Sequence, residues 1–277
     1  MTRSLAPSSR AVLDMVDQIA PVDLDTLQAR AGLQDRIDHK FLVYPSTVRR
    51  LVDDIGRELN VLEIRGERQF DYDSLYFDSA GWRTYRDHVQ GRRRRFQART
   101  RHYVGSGVCM FEVKIEGSRG KTAKHRQQHA VEDAHRLTPD ARALLDRELT
   151  LAGIHAAPDL RPAVQTTYRR TTLASLAGAG LRITLDTDLR CQSARGSTSA
   201  LTDRVLLEVK SASRHHPILG AFADAGLRPL TFSKYCVGAA LLHPELPRAP
   251  WAEVLAHHFE ERPLHDPLRG RTRSLHQ

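Results

Sequence analysis

RRRRFQARTRHY, residues 92–103, decides how the rest of the chain is read. With the two-residue period of a β-strand, Arg93, Arg95, Gln97, Arg99, Arg101 and Tyr103 share one face, and Phe96, Ala98 and Thr100 share the other. Burying the apolar face fixes the register. The opposite face then carries a row of guanidinium groups that cannot shed their charge. Crowded like charges need a counter-charge, and forked Arg donors suit phosphate oxygens. The stretch therefore predicts a strand that holds a polyphosphorylated ligand on a sheet.

The same alternation recurs along the chain. RIDHKFLVY, residues 36–44, places Arg36, Asp38 and Lys40 on one face. FDYDSLYF, residues 70–77, is another strand, closed by the turn Asp78-Ser79-Ala80-Gly81. The Arg strand runs through Gly105-Ser106-Gly107 into VCMFEVKIEG, which reads as a hairpin. There Glu112, Lys114 and Glu116 oppose Phe111, Val113 and Ile115. AVQTTYRRT at 163–171 is a further strand. In LRITLDTDL, 181–189, Arg182, Thr184, Asp186 and Asp188 oppose Leu181, Ile183, Leu185 and Leu189. RVLLEVK, 204–210, sets Leu206, Glu208 and Lys210 against Val205, Leu207 and Val209. FEVK at 111–114 and LEVK at 207–210 repeat one Glu-x-Lys arrangement.

Helices fall between these strands. PSTVRRLVDDIGREL has an apolar stripe of Val48, Leu51, Val52, Ile55 and Leu59, with Ser46 as its expected cap. Thr138 and Pro139 open the helix TPDARALLDRELTLAGI. FSKYCVGAALL, 232–242, also reads as helical. SRGKTAKHRQQ is basic and polar and reads first as a mobile loop. The organisation expected is an N-terminal helical arm over 1–32, a main domain over 33–245 and a loosely packed basic tail over 246–277.

The net charge of +9 over 277 residues calls for an anionic partner without saying which. Cys109, Cys191 and Cys236 have no paired spacing, which suits a reducing compartment and excludes a thiolate zinc site. Asp14 and Asp17 interrupt any apolar signal core, and the apolar run from Cys236 to Leu242 is too short to span a bilayer. The expectation is a cytoplasmic protein without a transmembrane segment. Carboxylates interleaved with the Arg residues tell against a plain nucleic-acid surface.

Charged faces on several strands fit two architectures. One is an open sheet with a basic face. The other is α+β, a closed antiparallel β-barrel whose charged lumen forms a tunnel, with helices packed outside.

Nine motifs in order then bear on the choice: RIDHKFLV, SLYFD, Arg99-x-Arg101-x-Tyr103, FEVK, GKTAKHR, YRRT, LRITLDTDL, LLEVK and FSKYCVG. In this order, over residues 33 to 243, they resemble the VTC domain, the polyphosphate-polymerase branch of the triphosphate tunnel metalloenzyme (CYTH-like) superfamily. The resemblance implies the closed tunnel and use of a nucleoside triphosphate with Mn²⁺ or Mg²⁺. It also implies phosphoryl transfer from ATP to a growing polyphosphate chain. By position it implies catalytic roles for Lys40, Arg99, Arg101, Lys114, Arg170, Lys210 and Lys234. Arg36, Lys124, Arg126 and Arg182 would bind substrate, and Glu208 would hold the metal. Tyr103 is a further substrate-binding candidate that would cap the lumen by hydrogen bonding, with simple packing as its plain alternative.

Glu112 is a second metal candidate whose plain alternative is an ion pair with a neighbouring Arg. Two positions depart from the family pattern. Asp38 stands where Glu is usual, and Thr231 stands where eukaryotic members carry a further Lys. A hydrolase of triphosphate or polyphosphate and a non-catalytic polyphosphate sensor are the alternatives to a polymerase. A separate membrane partner that receives the product is a further expectation.

Overall fold

The computed structural model describes residues 5–31, 37–116, 122–155, 159–176, 180–213 and 216–259. Its strands are β1 (Ala20–Val22), β2 (Ile37–Val43), β3 (Asn60–Leu62), β4 (Phe70–Ser79), β5 (Arg95–Tyr103) and β6 (Val108–Glu116). They continue with β7 (Thr122–His129), β8 (Leu160–Ser175), β9 (Leu181–Ser193), β10 (Gly196–Leu201) and β11 (Val205–Ser211). The helices are α1 (Pro7–Val16), α2 (Leu24–Ala31), α3 (Pro45–Ile55), α4 (Arg83–Val89), α5 (Pro139–Leu151), α6 (Pro217–Asp224), α7 (Lys234–Leu242) and α8 (Ala252–His258).

One sheet holds all the strands, in the order β2-β11-β9-β8-β4-β5-β6-β7, with β10 beside β9 and the β1–β3 pair beside β8. Every ladder is antiparallel except β1–β3. The sheet is not closed. β2 and β7 are its two edges, and among the described residues no ladder joins them, so the closed barrel expected from the sequence is corrected to an open antiparallel sheet in an α+β fold. The alternation of apolar and charged residues is the same for both, because it reports which face is buried and not which edges pair. At the β2 edge the carbonyl of Lys40 is taken by the amide of Leu230, 2.7 Å away, rather than by another strand. At the other edge β7 carries Lys124, His125 and Arg126, the kind of charged edge that discourages further pairing. That strand lies on part of the segment expected as a loop; residues 117–121 lie outside the described residues.

The outer face of the sheet is apolar, as the alternation required. Phe41, Val43, Ile183, Leu185, Leu207 and Val209 pack against Val12, Met15 and Val16 of α1, Val48 and Leu51 of α3, and Ile218 and Phe222 of α6. Further along, Phe96, Ala98, Phe111, Val113 and Ile115 pack on Leu144, Leu145 and Leu149 of α5. Thr138 caps α5 by accepting from the Ala141 amide, as expected. For α3 the expected cap is corrected: the helix starts on Pro45 after Tyr44, with no side-chain cap from Ser46.

One helix lies on the inner face. α7 is apolar all round and is buried from Tyr235 to Ala240. It meets Leu206 of β11, Leu189 and Cys191 of β9, Val164 and Tyr168 of β8, and Tyr76 of β4 in one cluster. Strands this far apart reach a single helix because the sheet curls around it. A bulge makes part of this possible. Between Thr167 and Arg169 the register with β9 shifts, and Asp188 takes φ 52°. The extra residue reverses the parity, so Leu189 and Cys191 face α7 instead of joining Leu181, Ile183 and Leu185 on the outer face. That corrects the single face assigned to residues 181–189.

Trp251, Val254 and Leu255 are buried in the same cluster, so residues up to Phe259 are packed where a loose tail was expected. Residues 260–277 lie outside the described residues. The close approach of α7 has a testable consequence. A Cβ on Gly238 would stand 2.8 Å from Cys191 Sγ and 3.3 Å from Val164 Cγ1. Gly238→Val is therefore expected to lower stability by about 2–3 kcal/mol through overpacking; an unchanged urea midpoint would show that α7 can shift outward at no cost.

Candidate active site

Beyond the N-terminal end of α7 the inner face is charged, and three carboxylates organise it, two of them buried and the third partly so. The first is Asp186, 1% exposed. Arg170 stands opposite it on β8 and donates through Nε and Nη2 at 2.6 and 2.7 Å. Lys234, the first residue of α7, reaches the same carboxylate at 2.5 Å. Ser233 sets that lysine in place by capping the helix on the Cys236 amide. Burial alone would raise the Asp186 pKa, but Arg170 and Lys234 outweigh it and hold the group below its usual value. Arg170 lies over the rings of Tyr72 and Tyr168, and the Lys234 ammonium lies over Tyr168.

The second is Glu208 on β11. Its strand neighbours place Lys40 opposite on β2 and Thr184 opposite on β9. Lys40 Nζ is 3.0 Å from one carboxylate oxygen and Lys210 Nζ is 2.7 Å from the other. Asp38, one residue pair along, sits 3.6 Å from Lys210. Burial opposes ionisation of Glu208, yet Lys210, Lys40 and Arg170 keep its pKa well below the usual range. The two lysines differ. Burial depresses Lys210 despite Glu208, whereas in the more exposed Lys40 the carboxylates win and the pKa rises.

Glu112 on β6 is the third. Arg99 reaches it at 2.6 Å, Lys124 at 2.5 Å and Arg101 at 3.9 Å. Arg99 also donates to the Tyr76 hydroxyl at 2.8 Å, and Arg101 to Ser74 at 3.3 Å. Burial raises the Glu112 pKa less than these cations lower it, so it stays ionised. Glu112 is thus an ion-pair partner of the Arg strand among the described residues.

Seven cations, Lys40, Arg99, Arg101, Lys124, Arg170, Lys210 and Lys234, contact four carboxylates, Asp38, Glu112, Asp186 and Glu208. The excess of three positive charges on a largely buried face is what an anion with several charged oxygens would neutralise. The remaining sequence candidates lie around this group. Arg182 stands opposite Lys210 on the next strand, and Arg126 is exposed opposite Glu112. Lys114 is exposed and paired with Glu116, which also binds Arg95. The Tyr103 ring packs edge-on against Tyr72, with centroids 5.1 Å apart. Thr231 is exposed, and Arg36 lies outside the described residues.

Lys124 supplies a pH signature. Desolvation of its amine beside the Arg strand, although the side chain as a whole is 38% exposed, brings its pKa down to about 8 against the pull of Glu112, with help from Arg99 and Arg101. Below that pH it is charged; above it, binding an anion must first restore the proton. Anion affinity is therefore expected to fall between pH 7 and pH 9.5, and to fall less in Lys124→Arg, which keeps its charge throughout. Identical pH profiles for the two proteins would remove Lys124 from the site.

Alternation could not reveal everything here. The tyrosines at 72, 76 and 168 line the inner face beneath the cations; the first two are legible as even-numbered aromatics of FDYDSLYF, and the third precedes Arg169 and Arg170 in AVQTTYRRT. Asp78 was read as a turn residue. It is fully buried and accepts from the amides of Ser79, Thr84 and Tyr85, which starts α4, and from the Tyr235 hydroxyl, which locks α7 onto β4. α4 itself was not anticipated, because RTYRDHV has no clear apolar stripe.

Fold and site together define an open antiparallel-sheet domain with a curled, cation-rich inner face. Residues 35–243 match the family model of the VTC domain, and the chain belongs to that family. A search of curated proteins finds no match. Among solved structures the chain is similar to a candidate adenylate cyclase from Bacillus halodurans, with TM-score 0.46 and 14% identity over 72% of this chain and 93% of the other. It is also similar to HpAC1 from Hippeastrum, a candidate adenylyl cyclase with a dominant triphosphatase activity. That pair has TM-score 0.43 and 16% identity over 74% and 95% of the two chains. Likeness at this level says nothing of what this chain does. Among the described residues no helix is long and apolar enough to cross a membrane.

Proposed function

We propose that this chain is a metal-dependent phosphotransferase that passes the terminal phosphoryl group of ATP to the end of an inorganic polyphosphate chain. The observation that carries the reading is the cation excess around Asp186, Glu208 and Glu112 on one face. Phosphoryl transfer asks a protein mainly for positioning and for neutralisation of the equatorial oxygens. Arg99, Arg101, Arg170, Lys40, Lys210 and Lys234 would exchange their carboxylate partners for phosphate oxygens. A chain-end oxygen then attacks the γ-phosphorus as the bond to ADP breaks. Lys124, Arg126 and Arg182 would guide the chain, with Lys114 and Tyr103 at the rim.

A divalent metal such as Mg²⁺ or Mn²⁺ would neutralise charge on the phosphates. Among the described residues no group of three or more His, Cys, Asp or Glu could hold one. Mg²⁺ ordinarily takes one or two carboxylates plus substrate phosphates, so a single carboxylate suffices as the protein's share. Glu208 fits that part, because phosphate would draw Lys40 and Lys210 off its oxygens. Glu112, held by three cations, serves as their counter-charge.

Hydrolysis is the second reading, favoured by Thr231, a residue without charge where eukaryotic family members carry Lys. The test is incubation with ATP and Mn²⁺ or Mg²⁺, followed by a gel stained for polyphosphate and an orthophosphate assay. A ladder supports the polymerase. Orthophosphate without a ladder makes the chain a hydrolase, and neither product with tight ATP binding makes it a sensor.

A further inference from the structure

Three buried threonines on the neighbouring strands β8 and β9, Thr166, Thr171 and Thr184, have hydroxyls without a hydrogen-bond partner, and of these Thr171 and Thr184 face opposite sides of the sheet. Thr171 on β8 is fully buried, and Thr184 on β9 is 3% exposed. Thr171 stands opposite Leu185 and so belongs to the apolar outer face. Thr184 lies between Arg182 and Asp186 on the inner face, directly opposite Glu208 on one side and Thr172 on the other. A buried hydroxyl with no partner costs free energy. On the outer face that cost has no return. On the inner face the hydroxyl is placed beside the carboxylate assigned to the metal.

We infer that Thr184 is a ligand-positioning residue whose hydroxyl donates to an oxygen of the phosphate group bound beside Glu208. The inference rests on the reading of the inner face as a triphosphate site and adds a neutral donor to its charged ones. Opposed residues on antiparallel strands have Cβ atoms about 4.5–5.5 Å apart, so a phosphate reaching Glu208's surroundings comes within reach of the Thr184 hydroxyl. The rigid strand fixes that hydroxyl in place without the rotamer freedom of a lysine. It would select for a phosphate seated at this depth over one held at the rim.

The two threonines give the test its control. Tripolyphosphate with Mg²⁺ is titrated calorimetrically into the wild type, Thr184→Val, Thr184→Ser and Thr171→Val, with thermal unfolding measured in parallel. Val keeps the shape and removes the orphaned hydroxyl, so neither Val variant is expected to unfold at a lower temperature. Thr184→Val is expected to bind about 10–100-fold more weakly, the range for losing a hydrogen bond to a charged group. Thr184→Ser restores the affinity, and Thr171→Val leaves it unchanged. Wild-type affinity in Thr184→Val overturns the inference, as does an equal loss in Thr171→Val. Should Thr184→Val fold poorly, Thr184→Ser with weakened binding and unaltered stability would equally overturn it. No binding by the wild type overturns the triphosphate reading itself.

Discussion

Glu208→Gln is expected to lower turnover about 10²-fold or more, the usual cost of removing one electrostatic element from a phosphoryl-transfer or oxyanion site, while triphosphate affinity stays the same or rises. The direction of the second effect distinguishes the account. In the free protein both oxygens of Glu208 are occupied by Lys40 and Lys210. Any phosphate that takes those lysines must compete with the carboxylate. Gln keeps the shape but not the charge, so the lysines are released to the phosphate while the anionic donor proposed for the metal is lost. A structural counter-ion alone would give the opposite split, with turnover changing only as much as stability. Measuring kcat beside the dissociation constant for tripolyphosphate, at several Mn²⁺ concentrations, separates the two. Unchanged kcat would leave Glu208 as a counter-ion and nothing more.

The second large effect concerns folding. Asp186→Asn is expected to destabilise the chain by about 3–5 kcal/mol, because it strands two cations against a buried neutral amide. Arg170 and Lys234 both end on this carboxylate, and their side chains are only 15% and 13% exposed. The pH dependence has a definite sign. The folded-state pKa of Asp186 lies below the ordinary 3.8, so its contribution is complete above that value and is lost as pH falls through the depressed one. Urea unfolding of the Asn variant should accordingly lose less between neutral and strongly acid pH than the wild type does. Polyphosphate should restore part of its stability by supplying the missing negative charge, as any ligand specific to the folded state does. A variant as stable as the wild type would mean that Arg170 and Lys234 find water in place of the carboxylate.

How far the sequence carried can be followed residue by residue. The inner face of β5 was legible because Phe96 and Ala98 must be buried, which leaves Arg99 and Arg101 no other side. Opposing strands then brought Lys40, Lys210 and Glu208 together and set Glu112 beside Arg99 much as the alternation implied, whereas Lys124 reaches Glu112 from a strand where a loop was expected. Closure was not legible, since it depends on whether the edge of β2 meets β7, and Leu230 takes that edge instead. The bulge at Asp188 was invisible for a related reason. A two-residue period assumes an unbroken ladder, and one extra residue sends Leu189 to the opposite face. Asp78 was missed because its partners, Tyr85 and Tyr235, come from helices far along the chain.

The measurement that bears most directly on the central claim is a calorimetric titration of tripolyphosphate at fixed ionic strength into the wild type, Arg101→Gln and Arg83→Ala. Arg101 lies on the inner face near Glu112, whereas Arg83 sits on α4 beside Asp87, away from the three carboxylates. The account expects one site per chain, a loss of about tenfold or more in Arg101→Gln, and no change in Arg83→Ala. Absence of binding, or an equal loss from the two arginines, would mean that the inner face is not where this chain meets phosphate.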